Sequence, residues 1–218
     1  MRWSAKVLSG SERCGDLFAV LPVDDNRLLV AAVDAGGAGT EGIIQGASML
    51  ASLTTAVSLS GLRTEPGRIL NAVNTAVTNR KERQPLALVA VWIDLIAGRL
   101  SYVNAGHAGP ILLAGPTRLI TLDQTALLLG ADTEQIYKAT AIDLPAKFRI
   151  ILVSDGLIEA LGKTGQAFGD EQLHEVLLDE QAFGEPEAII ERIAGALATH
   201  MGEIPQIDDG LIVTVAKD

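Results

Sequence analysis

Residues 85–103 read PLALVAVWIDLIAGRLSYV, and the change of period there decides the fold. Upstream of Pro85 the chain has a helical beat. Residues 40–59 place Ile43, Ala47, Leu50, Thr54 and Val57 at helical spacing, and a second helix opens at Glu65-Pro66 with Ile69, Leu70, Val73, Ala76 and Val77 on one face. From Pro85 onward, short apolar runs at 86–93, 100–103, 111–113, 119–122, 137–143 and 148–153 are separated by Gly, Pro and Asp, the pattern of antiparallel strands. Before the helices, 17–21 and 28–33 read as a hairpin around Pro22-Val23-Asp24-Asp25-Asn26. After the strands come helices around Leu173, Val176 and Leu177 and around Ile189, Ile190, Ile193 and Leu197, then a last strand at 211–215. Helices in pairs and strands in runs imply an α+β fold, a β-sandwich of two antiparallel sheets flanked by pairs of α-helices, and not an alternating βαβ sheet.

The 218 residues, 48% hydrophobic with a mean hydropathy of +0.30, suffice for a large core. No linker, repeat or low-complexity tract divides them, so one domain over 1–218 is expected. A single cysteine, Cys14, excludes an internal disulfide, and the N-terminal residues lack the apolar core of a secretory signal. The apolar stretches read as shorter than a membrane span, so a soluble cytoplasmic protein with no membrane partner is expected. A formal charge of −10 and a pI near 4.7 oppose a nucleic-acid partner.

Four acidic spots sit where apolar runs break into small residues: Gly15-Asp16, Asp34-Ala35-Gly36, Ser154-Asp155-Gly156 and Asp208-Asp209-Gly210. One Asp-Gly after a strand is ordinary turn chemistry. Four together read as a carboxylate site, because converging carboxylates repel unless hard cations such as Mg2+ or Mn2+ lie between them. Other motifs have plainer readings. Residues 37–42 match G-x-G-x-x-G after a strand, but no second strand ending in an acidic residue follows the helix, as a dinucleotide site requires. These glycines read as a close backbone turn beside Asp34 that leaves a carbonyl near Ala35 for a metal. Cys14 lacks the arginine five residues on that a cysteine phosphatase uses, and reads as a packed thiol. His174 and His200 read as helix-surface residues. His107, in Asn104-Ala105-Gly106-His107, reads as bracing a turn.

In these residues the chain resembles the metal-dependent protein phosphatases of type 2C, in the SpoIIE-like bacterial branch, and within it the small single-domain stressosome phosphatases. The motifs run collinearly: Gly15-Asp16, Asp34 to Gly39, Asn104 to His107, Ser154-Asp155-Gly156 with Glu159, and Asp208-Asp209. The resemblance implies two Mn2+ or Mg2+ ions. Asp34 would bridge both, the carbonyl of Ala35 would join it on one, Asp155 and Asp208 would bind the other with Asp209 adjacent, and Asp16 would act through water. It implies phosphoserine/phosphothreonine hydrolysis by a metal-activated water with no covalent phosphoenzyme. Phosphorylated proteins carrying STAS domains, in a stressosome or partner-switching pathway, are the implied partners. The chain departs from the family pattern at Gly36-Gly37-Ala38-Gly39, where a histidine is usual, and at Gly210 after the aspartate pair. Arg13 is the candidate phosphate-binding arginine. A phosphatase-like regulator without turnover and a hydrolase of small phosphoesters are the alternatives. Because sulfur has no place in this chemistry, Cys14→Ser leaves the rate of phosphate release unchanged within about twofold, measured beside a circular-dichroism check of folding.

Overall fold

In a computed structural model the described residues are 1–8, 15–35, 39–60, 65–78, 84–179, 183–206 and 208–218. The readings at Arg13, Cys14 and 36–38 fall outside them. The described chain forms ten strands and five helices, arranged as two five-stranded antiparallel sheets. Its contacts divide it into two compact units.

The first unit comprises Gly15–His107 and Asp123–Leu144. Its sheet runs β2 (Asp16–Asp24), β3 (Arg27–Asp34), β4 (Ala87–Asp94), β5 (Arg99–Ala105) and β8 (Thr140–Asp143), each strand antiparallel to its neighbour. Asp25-Asn26 closes the β2–β3 hairpin, held by Asp24, whose carboxylate accepts the Asn26 N–H and pairs with Arg27. One face of the sheet presents Leu29, Ala31, Val33, Leu88, Ala90, Trp92, Val103 and Ala105 to α1 (Gly39–Ser60) and α2 (Pro66–Thr78). Leu28, Val30 and Ala32 on the other face are buried too, which is why β3 reads as an unbroken apolar run. Gly46 lets α1 approach closely: a Cβ there would lie 3.2 Å from both Leu17 and Val33. By length and composition α1 could cross a membrane, which corrects the expectation that no apolar stretch was long enough. Its Met49, Leu50, Leu53 and Val57 are buried in the core of this unit.

Tyr137 corrects another expectation. The run 137–143 forms a strand only from Thr140, because Tyr137 turns inward between α2 and the loop before β8. Asn71 accepts its N–H at 2.8 Å, its hydroxyl donates to the Leu128 carbonyl at 3.1 Å, and burial pushes that phenol up to about 12. Asn74, one turn along α2, donates to Asp132 O and accepts from Gly130 N–H, so two asparagines clamp residues 128–137.

The second unit comprises Met1–Cys14, Ala108–Leu122 and Pro145–Asp218. Its sheet order is β1 (Arg2–Leu8), β10 (Gly210–Lys217), β9 (Phe148–Val153), β6 (Ile111–Leu113) and β7 (Leu119–Thr121). The sequence reading missed β1, whose polar residues alternate with few apolar ones. Ile151, Val153 and Ile212 pack with α3 (Asp155–Ile158), α4 (Gly169–Leu177) and α5 (Pro186–Met201) through Leu157, Leu173, Leu177, Ile193 and Leu197.

Arg149 anchors the start of β9. It is 3% exposed, donates to the carbonyls of Phe148, Phe183, Gly184 and Lys217, pairs with Asp218, and stacks on Phe183. The hydrogen bond from Arg149 holds the Asp218 carboxyl below its usual pKa, so this pair persists at neutral pH and is lost only as the pH falls through that lowered value. Truncation would strand several carbonyls. Arg149→Ala should therefore cost about 3–5 kcal/mol in urea denaturation monitored by circular dichroism.

Candidate functional site

In the first unit, two carboxylates meet at the end of the sheet. The β2–β3 register sets Asp16 directly opposite Asp34, on one face of the ladder. Asp16 is 6% exposed and Asp34 is half-buried. The ladder continues one step past the pair, where the Ala35 N–H donates to Gly15 O at 3.1 Å, so the backbone is fixed as it leaves β3. Gly39, at φ 62°, then opens α1. Opposed like charges on a pleated surface are unfavourable, and a pair of hard oxygen donors so placed suits a divalent cation.

The N-A-G-H turn follows β5 in the same unit. The turn is closed by Asn104, whose side-chain oxygen accepts the His107 N–H at 3.0 Å, while Gly106 takes φ 83°. Asn104 thus braces this turn, a role that Asn-x-Gly turn chemistry could have indicated. Asn104 lies on the same sheet face as Asp16 and Asp34, by the registers of β3, β4 and β5. It is 1% exposed, and among the described residues its Nδ2 has no hydrogen-bond partner.

In the second unit, Asp155 and the Asp208-Asp209 pair are brought together by one serine. Ser154 N–H donates to Leu211 O at 3.1 Å, and its hydroxyl accepts the Leu211 N–H at 2.8 Å. The side chain takes over the ladder where the backbone turns into α3, which is why it makes no helix-capping hydrogen bond. Gly156 completes the arrangement. A Cβ there would lie 2.0 Å from Asp209 O and 3.3 Å from Asp208 Cβ, so the glycine supplies space for a passing backbone. Asp209 is buried, whereas Asp208 is exposed and its Oδ1 accepts the Asp209 N–H at 2.8 Å. Glu159 ends α3, its N–H bonded to Asp155 O at 2.8 Å.

The remaining histidines stand apart from the carboxylates of this unit. His174, in the last turn of α4, meets Thr121 at 3.4 Å, and His200 meets Gln166 O at 3.0 Å with its ring edge-on to Phe168. Among the described residues no group of three or more His, Cys, Asp or Glu is gathered to hold an ion. The oxygen-only donors nevertheless have the chemistry that Mg2+ and Mn2+ select.

The chain belongs to the SpoIIE family: the family model described as Stage II sporulation protein E matches residues 24–217. The fold is that of PP2C phosphatase domains. The SiaA-PP2C domain of Pseudomonas aeruginosa superposes with a TM-score of 0.85 at 21% identity, covering 99% of this chain and 86% of that one. The RsbU and RsbW domains of Rv1364c from Mycobacterium tuberculosis give 0.78 at 21% identity, over 99% of this chain and 61% of that one. RsbX in complex with magnesium gives 0.73 at 19% identity, over 99% and 94%. Protein IcfG of Synechocystis is 26% identical over 126 residues, 58% of this chain, which spans a fifth of that protein's length.

The Ser154 latch generates a stability prediction. Ser154→Ala leaves the buried Leu211 N–H without its acceptor and should cost about 1–3 kcal/mol in urea. Gly156→Ala must displace backbone, and should cost about 3 kcal/mol.

Proposed function

We propose that this protein is a phosphatase that removes phosphate from phosphoserine or phosphothreonine in proteins. The observation that carries the reading is the opposed pair Asp16–Asp34 at the end of a buried ladder, in a chain of the SpoIIE family. Asp34 and the Ala35 carbonyl in the first unit, and Asp155 and Asp208 in the second, are the residues we assign to hold divalent cations, Mn2+ or Mg2+. Asp16, opposite Asp34 in the ladder, would act through water. Asp208 is preferred over Asp209 because it is exposed, whereas Asp209 is buried against Gly156. Bound cations would supply Lewis-acid stabilisation of charge on the phosphoryl oxygens and a low-pKa water. The chain's own part is to hold carboxylates rigidly at strand ends, so that little reorganisation accompanies the reaction.

The substrate we assign is a cytoplasmic phosphoprotein with a STAS domain in a stressosome or partner-switching pathway. It is supported by likeness to RsbX, to the RsbU and RsbW domains, and to a structure described as the bacterial stressosome, at 17% identity and a TM-score of 0.66.

Adding Mn2+ should raise the melting temperature of the wild type, and Asp34→Asn should lose most of that gain together with at least a hundredfold, roughly, of kcat. Phosphate loss from phosphorylated STAS proteins, followed by intact mass beside an unrelated phosphopeptide and an aryl phosphate, checks the substrate. Retained activity in both Asp34→Asn and Asp155→Asn would refute the metal assignment. Equal efficiency on the unrelated peptide would refute the pathway alone.

A further inference from the structure

A cavity of about 270 Å³ opens beside Asp208 in the second unit, lined chiefly by Glu159, Ala160, Leu161, Ile204, Pro205 and Asp208. It is near the lower end of ligand-pocket volumes, which begin at about 300 Å³, and is of a size for one long side chain. Its walls are set before any ligand arrives. On one side Glu159 N–H is held by Asp155 O, Phe168 N–H by Ala160 O, and Leu161 pairs with Ala167 in an isolated bridge. On the other, Ile204 N–H donates to Met201 O at 3.2 Å and Gln206 Nε2 to Leu8 O at 3.2 Å.

We propose that this cavity receives a lysine or arginine side chain of the phosphoprotein, close in sequence to the phosphorylated residue. The proposal rests on the phosphatase reading above. Ala160, Leu161, Ile204 and Pro205 offer apolar surface for an aliphatic stem, and this gives a role to Leu161, which is 43% exposed. Glu159 offers a carboxylate for the cationic head. Among the described residues no lysine or arginine pairs with it. An acidic side chain or a second phosphate would be repelled by Glu159, which is exposed at the cavity, and a purely apolar one would forgo the charge pairing. A preformed pocket loses little to ordering on binding. Gly156 and Asp208 line the cavity and flank Asp155, so an extended peptide with its phosphate near these carboxylates reaches the cavity within about three residues, at about 3.3 Å each.

The test is a series of phosphoserine peptides with lysine, norleucine or glutamate placed in turn at each of the flanking positions, assayed with Mn2+. Norleucine keeps the stem and removes the charge. At one position lysine should exceed norleucine in kcat/KM by about three- to tenfold, and glutamate should fall below both. Glu159→Lys should reverse that order at the same position. Leu161→Ser should weaken the lysine and norleucine peptides alike while turnover of an aryl phosphate stays unchanged. No position with a lysine preference, or the same preference in Glu159→Lys, would overturn the proposal. If no phosphoester is turned over, the phosphatase reading fails, and the pocket is judged separately by equilibrium binding of the same peptides. A lysine-to-norleucine affinity ratio above about three, lost in Glu159→Lys, sustains it, and a ratio of one overturns it.

Discussion

The register of β2 against β3 forces two carboxylates to face each other, and the chemistry of the first unit follows from that constraint. β3 is buried on both faces, so a slip by one residue would exchange every side chain between the helix-facing surface and its opposite. The two-residue Asp25-Asn26 turn, braced by Asp24, and the ladder of β3 on β4 fix that register, whereas an unfavourable cross-strand pair costs only about 0.2–1 kcal/mol. Asp16 therefore stays opposite Asp34. A repulsion that the fold can tolerate would become a binding force for a cation held there, as proposed above.

The second unit reaches a comparable result by different means. β9 is fixed at its start by the guanidinium of Arg149, which gathers four carbonyls from three separate segments. At its end the Ser154 hydroxyl replaces a backbone acceptor, and Gly156 gives room for the Asp209 carbonyl. Asp155 is thus presented from a four-residue turn with no slack on either side. The same turn forms one wall of the cavity beside Asp208, so the fixing of the carboxylate and the shaping of the cavity are one structural feature.

Several residues have their effect through backbone approach and not through chemistry of their own. Gly46 admits α1 to the β2–β3 hairpin, Gly156 admits the β10 approach, and Gly67 sits where a Cβ would lie 2.2 Å from the Tyr137 carbonyl. Asn71, Asn74 and Asn104 each secure irregular chain by side-chain bonds to backbone, the commonest use of buried amides. The roles of Asn71 and Asn74 leave a faint trace in a single sequence, since their partners lie tens of residues away.

The sequence by itself determined the alternation of helix pairs and strand runs, the apolar runs of β3 and β9, and the placing of Asp34 and Asp155 at their exits. These follow from local period and from turn residues within a few positions. It also located the collinear motifs of the SpoIIE family. The tertiary structure alone decided that Tyr137 belongs to the core of the first unit and not to a strand, and that β1 pairs with β10 across the length of the chain. It also decided that Asp209 is buried and Asp208 exposed, although the two are chemically identical neighbours. The physical reason is the same in each case: burial and hydrogen-bond partners are set by segments distant in sequence, while period and turn propensity are set by near neighbours.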